Sequence, residues 1–400
     1  MKKFVVVIDR LGCIRITLSL TMMMSILSGT FAQELSDKLT NELEGIYETS
    51  GLVGFSAAIV NADSILYLKG FGYENVDLQT AFSVDQRFSV ASVSKTFIGI
   101  SLMRLVEQGS LTLSTPVNEI LPFEVVHPSF PDHEITVEHL ARHTSGILNG
   151  DLENHSFYLK EGFTMEKKTV GKAAHKQFST WQNNGKVELE NLLRATLSID
   201  GELYSKNRFA KSKPGESYNY SNLGAALAAY IVQLKIGTDY RTYIEQFALE
   251  ELGFERGIWR NTISEIPSSY FQNQVAVPNY YPNLYPAGGM MLSGRELAVY
   301  LREMIRGFQG KSPILEAESF IEMMSPESRV ETESGIFWEL KGDNIFHNGG
   351  NYGVTSFMSF DRKTGIGKVF LTNISSYQDD ELLKQMIGIW RKMDEYKASF

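Results

Sequence analysis

One cysteine, Cys13, occurs in 400 residues. That excludes an internal disulfide framework and any cysteine-built zinc cluster. Proline is scarce, at 11 residues, and the 33 glycines follow no repeat, so collagen-like and Pro-rich chains are excluded too. Positive charge is in deficit: 38 Lys and Arg face 47 Asp and Glu, a net −9. A nucleic-acid binder must neutralise phosphates, and this chain has no surplus cation to do it. Beyond the N-terminal stretch, no apolar run is long enough for a transmembrane helix. Apolar material is plentiful, with 43% hydrophobic and 12% aromatic residues, which excludes a disordered chain.

The first 32 residues read as a separate object. Lys2, Lys3, Arg10 and Arg15 precede an uncharged apolar stretch, Ile16 to Leu27, which ends in small residues at Thr30 and Ala32. This is the pattern of a secretory signal peptide cleaved after Ala32. The expected location is periplasmic or secreted, with no stable membrane span after processing. Cleavage would remove the only cysteine and leave 34 basic and 46 acidic residues, a net −12.

The mature chain opens with helical periodicity over 36–49, then strands over 55–60 and 65–71. Phe97 to Val106 is apolar nearly all round, the mark of a buried helix, and Gly109 stops it. Further helices are expected over 192–197, 225–234 and 293–305, the last with Ser293 and Glu296 in a capping-box spacing. Two alternating segments, 355–360 and 368–373, flank the turn Lys363-Thr364-Gly365 and predict a hairpin; a terminal helix follows over 382–393. Strands at both ends with helices between them predict an α/β (α+β) fold. The expected division is an α/β domain from 33–110 and 270–400, with a helical domain, 111–269, inserted. Six lysines and few apolar runs between about 149 and 190 suggest an exposed polar insertion without function.

Three segments carry chemistry. In the first, Ser92 and Lys95 sit three apart at the start of the buried helix, on one face. A serine hydroxyl becomes a good nucleophile when a neighbour takes its proton, and a lysine does so when burial lowers its pKa. Ser-x-x-Lys occurs once in the chain. In the second, Pro214-Gly215 turns into Tyr220-Ser221-Asn222 at a helix start; Tyr220 suits a proton relay and Asn222 a substrate amide. In the third, His347-Asn348-Gly349-Gly350 precedes the final hairpin. Glycine there permits close approach of a ligand, and His347 is placed to direct positive charge at a substrate carboxylate. Rivals fare worse. His139 and His143 lack the Glu of a zinc-protease helix, so no metal site is expected, and His143 is read as packing within its loop. No Gly-x-Ser-x-Gly elbow supports a Ser-His-Asp enzyme.

Ser-x-x-Lys, Tyr-Ser-Asn and His-x-Gly in this order resemble the serine β-lactamase and penicillin-binding D,D-peptidase superfamily. Leu140 to Ile147 and Tyr285 to Met290 look like its class C and D,D-carboxypeptidase branch. The resemblance implies an antiparallel sheet flanked by helices plus an inserted all-helical domain. It implies Ser92 as the acylated nucleophile, Lys95 and Tyr220 as the proton-handling pair, and Asn222 on the substrate amide. It further implies His347 in place of a lysine, Gly349 keeping the strand open, and an oxyanion hole from the N–H groups of Ser92 and Gly350. No cofactor is called for. The expected substrate is a small molecule or peptide with a scissile amide or ester. The implied function is an exported serine hydrolase of the D,D-peptidase or β-lactamase type; the alternatives are an esterase of the same fold or a non-catalytic sensor. Two departures stand out: His347 where class C enzymes have Lys, and Asn348 where Thr is common.

Overall fold

The computed structural model describes residues 33–263, 265–326, 334–376 and 379–400. The expected signal peptide lies outside the described residues. Among them, no helix is long and apolar enough to cross a membrane.

A seven-stranded antiparallel sheet organises the chain. Its order across the sheet is Thr80–Ala81, Ile65–Asn75, Gly54–Val60, Ile366–Thr372, Val354–Asp361, Asn344–Asn351, Glu339–Lys341. The N-terminal hairpin thus zips onto the C-terminal hairpin, with Phe55 opposite Thr372 and Val60 opposite Gly367. The Gly54–Val60 strand is buried along its whole length because both sheet faces are covered. Successive strand side chains point to opposite faces, so Phe55, Ala57 and Ile59 join one core while Ala58 and Val60 join the other. The first core is closed by the helices at 33–48 and Asp380–Lys397. The second, larger core receives the helices Lys95–Glu107, Asn222–Ile236 and Gly294–Phe308. The Gly294–Phe308 helix begins with the expected capping box between Ser293 and Glu296.

The polar segment after residue 149 is not the exposed excursion its composition suggested. Phe178 and Trp181 are fully buried, and with Leu159, Phe271, Val277 and Tyr280 they make a third core. Its lysines stand outside while aromatics spaced along a short amphipathic helix, Lys172–Trp181, turn inward. A lysine count does not register that division of faces.

Candidate active site

Ser92 lies in a 3-10 turn, Ala91–Ser94, and the α-helix proper starts at Lys95. Ala91 has φ of 45°, a left-handed conformation that a non-glycine residue adopts only under constraint. The constraint is visible. The Ala91 N–H donates to Ser89 Oγ at 3.2 Å, and Ser94 Oγ donates to the Ala91 carbonyl at 2.6 Å. The preceding carbonyl, of Val90, accepts from Ser356 Oγ at 2.9 Å. Gly349 completes the clamp: a Cβ there would fall 2.2 Å from the Val90 carbonyl oxygen and 2.4 Å from Ser356 Oγ. The glycine lets the edge strand press against the serine turn.

Lys95 is fully buried, with Nζ 3.0 Å from Ser92 Oγ and 2.6 Å from the Ala287 carbonyl oxygen, to which it donates. Burial lowers its pKa to about 7, against a weaker upward pull from Glu339. Tyr220 interacts with Ser92, which pulls its pKa weakly down, and its ring centroid is 5.0 Å from Lys95 Nζ. Burial drives the Tyr220 pKa well above the ordinary phenol value, so it is a neutral hydroxyl at physiological pH. Serine, amine and phenol therefore form one compact proton network.

Asn222 opens the Asn222–Ile236 helix, where Ser221 is the N-cap with its side chain accepting from the Gly224 N–H. The Asn222 N–H donates to Asn149 Oδ1 at 2.8 Å, and the Asn222 Oδ1 is buried without a hydrogen-bond partner among the described residues. Ser92, Asn222 and Gly350 line one cavity of about 280 Å³, with Asn149, Gly288 and Tyr352. The strand Glu339–Lys341 pairs with its neighbour only as far as Phe346. Among the described residues, the edge from His347 to Asn351 carries no further strand.

His347 departs from the expectation. Its ring is buried, and Nδ1 donates to the Asn348 carbonyl at 2.8 Å. Burial and the neighbouring Lys95 pull its pKa down to about 3, outweighing the carbonyl. His347 is a neutral imidazole at physiological pH and brings no positive charge toward a substrate. The sequence placed it at a strand edge, but only the packing removes its water.

His143 and His139 part company. His143 Nδ1 accepts the Ser221 N–H at 3.2 Å and its ring lies 4.6 Å from that of Tyr220. His139 serves the capping box with Thr136. Four groups around the network escaped the sequence reading: Asn149, Glu153, the Ala287 carbonyl and Glu339. Asn149 follows closely on the Leu140–Ile147 segment, which gave a signal of position though not of role. A backbone carbonyl 192 residues from its lysine gives none.

The Beta-lactamase family model matches residues 37–387. The chain belongs to the beta-lactamase family. Members of this family are serine hydrolases, and the resemblance drawn from the three motifs is thereby borne out. The "Protein flp" of Staphylococcus aureus (strain N315) is 24% identical over 366 residues, 89% of this chain; the chain spans 66% of that relative's length. Among solved structures, an octameric penicillin-binding protein homologue from Pyrococcus abyssi superposes with a TM-score of 0.65 at 24% identity, covering 85% of this chain and 74% of its own. A D-amino acid amidase from Ochrobactrum anthropi SV3 gives 0.64 at 19%, covering 90% and 99%. At these identities the structural matches establish the mixed helix and antiparallel-sheet fold.

Proposed function

We propose that this beta-lactamase-family chain is an exported serine hydrolase that cleaves amide or ester bonds through an acyl-enzyme on Ser92. One observation carries the reading: a fully buried lysine amine, its pKa near neutrality, stands 3.0 Å from the only serine in a Ser-x-x-Lys spacing. Ser92 Oγ attacks the substrate carbonyl while its proton passes to the neutral amine of Lys95. The oxyanion faces the N–H groups of Ser92 and Gly350, and Asn222 Oδ1 accepts from the substrate amide. Collapse breaks the bond to the leaving amine or alcohol, which takes the proton through the Lys95–Tyr220 network. Water then attacks the acyl-serine by the same proton path, releasing the acid and restoring Ser92. Residues 111–269 act as the inserted helical domain, and the N-terminal 32 residues as the export signal. A D,D-peptidase or β-lactamase type of action fits the penicillin-binding and amidase relatives.

The test is a hydrolysis panel of a D-amino-acid peptide, a β-lactam and a simple ester, run on wild type and Ser92→Ala. At least one class is expected to be turned over by wild type alone, with mass spectrometry finding the acyl group on Ser92. A label on any other residue refutes the assignment.

A further inference from the structure

The cavity over Ser92 is built on one side by the segment once read as a functionless excursion. Asn149, Gly150, Leu152, Glu153, Ser156 and Phe157 all line it. Among the described lining residues, Glu153 is the only side chain charged at neutral pH. Its backbone is anchored, since the carbonyl accepts from Trp181 Nε1 at 2.9 Å, and Trp181 is fully buried. Its carboxylate has no ion pair or hydrogen bond among the described residues. Partial burial at the cavity wall raises its pKa, although the residue as a whole remains exposed. The neighbouring acid is accounted for: Asp151 is paired with Arg208 at 2.7 Å.

The opposite charge is missing from the same space. Lys95 is committed beneath the serine to the Ala287 carbonyl, and His347 is neutral. Arg260 is buried and donates to the Tyr280 carbonyl. Among the described residues, nothing lining the cavity can neutralise a substrate carboxylate, whereas one unpaired, solvent-accessible carboxylate on its wall can meet a cation. Resting on the acyl-enzyme reading, we propose that the substrate carries a free amino group, protonated at neutral pH, which seats against Glu153 while the adjoining carbonyl meets Ser92. The class is an amide or ester of an amino acid or peptide with an unblocked amine, and anionic acyl groups are disfavoured.

The experiment compares three p-nitroanilides of D-alanine: free amine, N-acetyl and N-succinyl. In wild type at pH 7.5, kcat/KM for the free amine is expected to exceed that for the acetyl form by about tenfold, the scale of one charge-assisted hydrogen bond. The succinyl form should be slowest. Glu153→Gln should bring the amine-to-acetyl ratio close to one, and Glu153→Lys should invert the order in favour of succinyl. An amine-to-acetyl ratio of one or less in wild type overturns the proposal, as does a ratio that Glu153→Gln leaves unchanged. If Ser92 is labelled by a neutral fluorophosphonate yet the ratio is one, the charge preference alone falls. If no Ser92-dependent turnover or labelling occurs, the acyl-enzyme reading falls instead. The preference is then read by calorimetry, where D-alaninamide should bind at least about tenfold more tightly than N-succinyl-D-alaninamide; equal affinities overturn it.

Discussion

Two lysines are buried among the described residues, and they have been given opposite surroundings. Lys368, on the strand Ile366–Thr372, is 3% exposed. Its Nζ lies 2.6 Å from Asp394 Oδ1, donates to the Trp390 carbonyl at 3.0 Å and stands 4.0 Å from the Trp390 ring centroid. Lys95 is fully buried, has a serine and a carbonyl for neighbours, and makes no ion pair among the described residues. Burial lowers both pKa values, to about 8 for Lys368, where Asp394 resists, and to about 7 for Lys95. Burial alone therefore does not make a base. What separates a clamp from a proton acceptor is whether a carboxylate stands beside the buried amine.

The sharpest break in that comparison is at the serine. Ser92→Ala should abolish covalent labelling and turnover entirely, whereas Lys368→Ala should leave labelling intact. Next in size, Lys95→Ala and Tyr220→Phe should each cut turnover by about 10²–10⁴-fold. The double mutant should lose less than the product of the two effects, because both act on one proton path. Near wild-type rates in either single mutant would remove the pair from the mechanism. Lys95→Met should lose activity without melting earlier, a combination that thermal unfolding and turnover assays on one preparation will check.

The third contrast lies in pH. A lysine whose folded pKa is depressed is a base only above that value, so kcat/KM should climb about tenfold per unit below pH 7 and level off above it. The same depression acts on stability in the window above: each lysine costs the fold most below its folded pKa, and the cost fades as pH rises from there toward the unfolded value of 10.5. No second limb near 6.5 is expected from His347, since its pKa lies near 3. A profile whose limb persists in Lys95→Ala would assign it elsewhere.

The smaller effects fall on the clamp. Asp394→Asn removes the carboxylate but leaves the buried amine, and should cost about 1–3 kcal/mol of stability by denaturant titration, with kcat unchanged. Lys368→Met removes charge and partner need together, and should cost less than about 1.5 kcal/mol. Equal losses in the two variants would mean that the ion pair, rather than the avoidance of a stranded charge, holds that end of the sheet.

Local signals carried most of the fold and pointed to the candidate site residues. Alternation over 55–60, the turn at Lys363-Thr364-Gly365 and the spacing of Ser293 and Glu296 are short-range patterns, each written within one element. The three-residue spacing of Ser92 and Lys95 likewise needs only a helical turn to bring the two groups together. Protonation states were not legible. The neutral His347 and the near-neutral Lys95 result from water being excluded by segments hundreds of residues apart, and desolvation is a property of a place rather than of a residue. The wall at 149–181 was hidden for a related reason: its aromatics become a core only when Phe271, Tyr280 and Tyr352 arrive from elsewhere in the chain. By itself, the sequence determined which groups are one turn or one hairpin apart, because backbone geometry dictates those distances. Only the tertiary structure decided which of them are charged and what surrounds the serine, because dielectric environment and cavity shape are set by contacts distant in sequence.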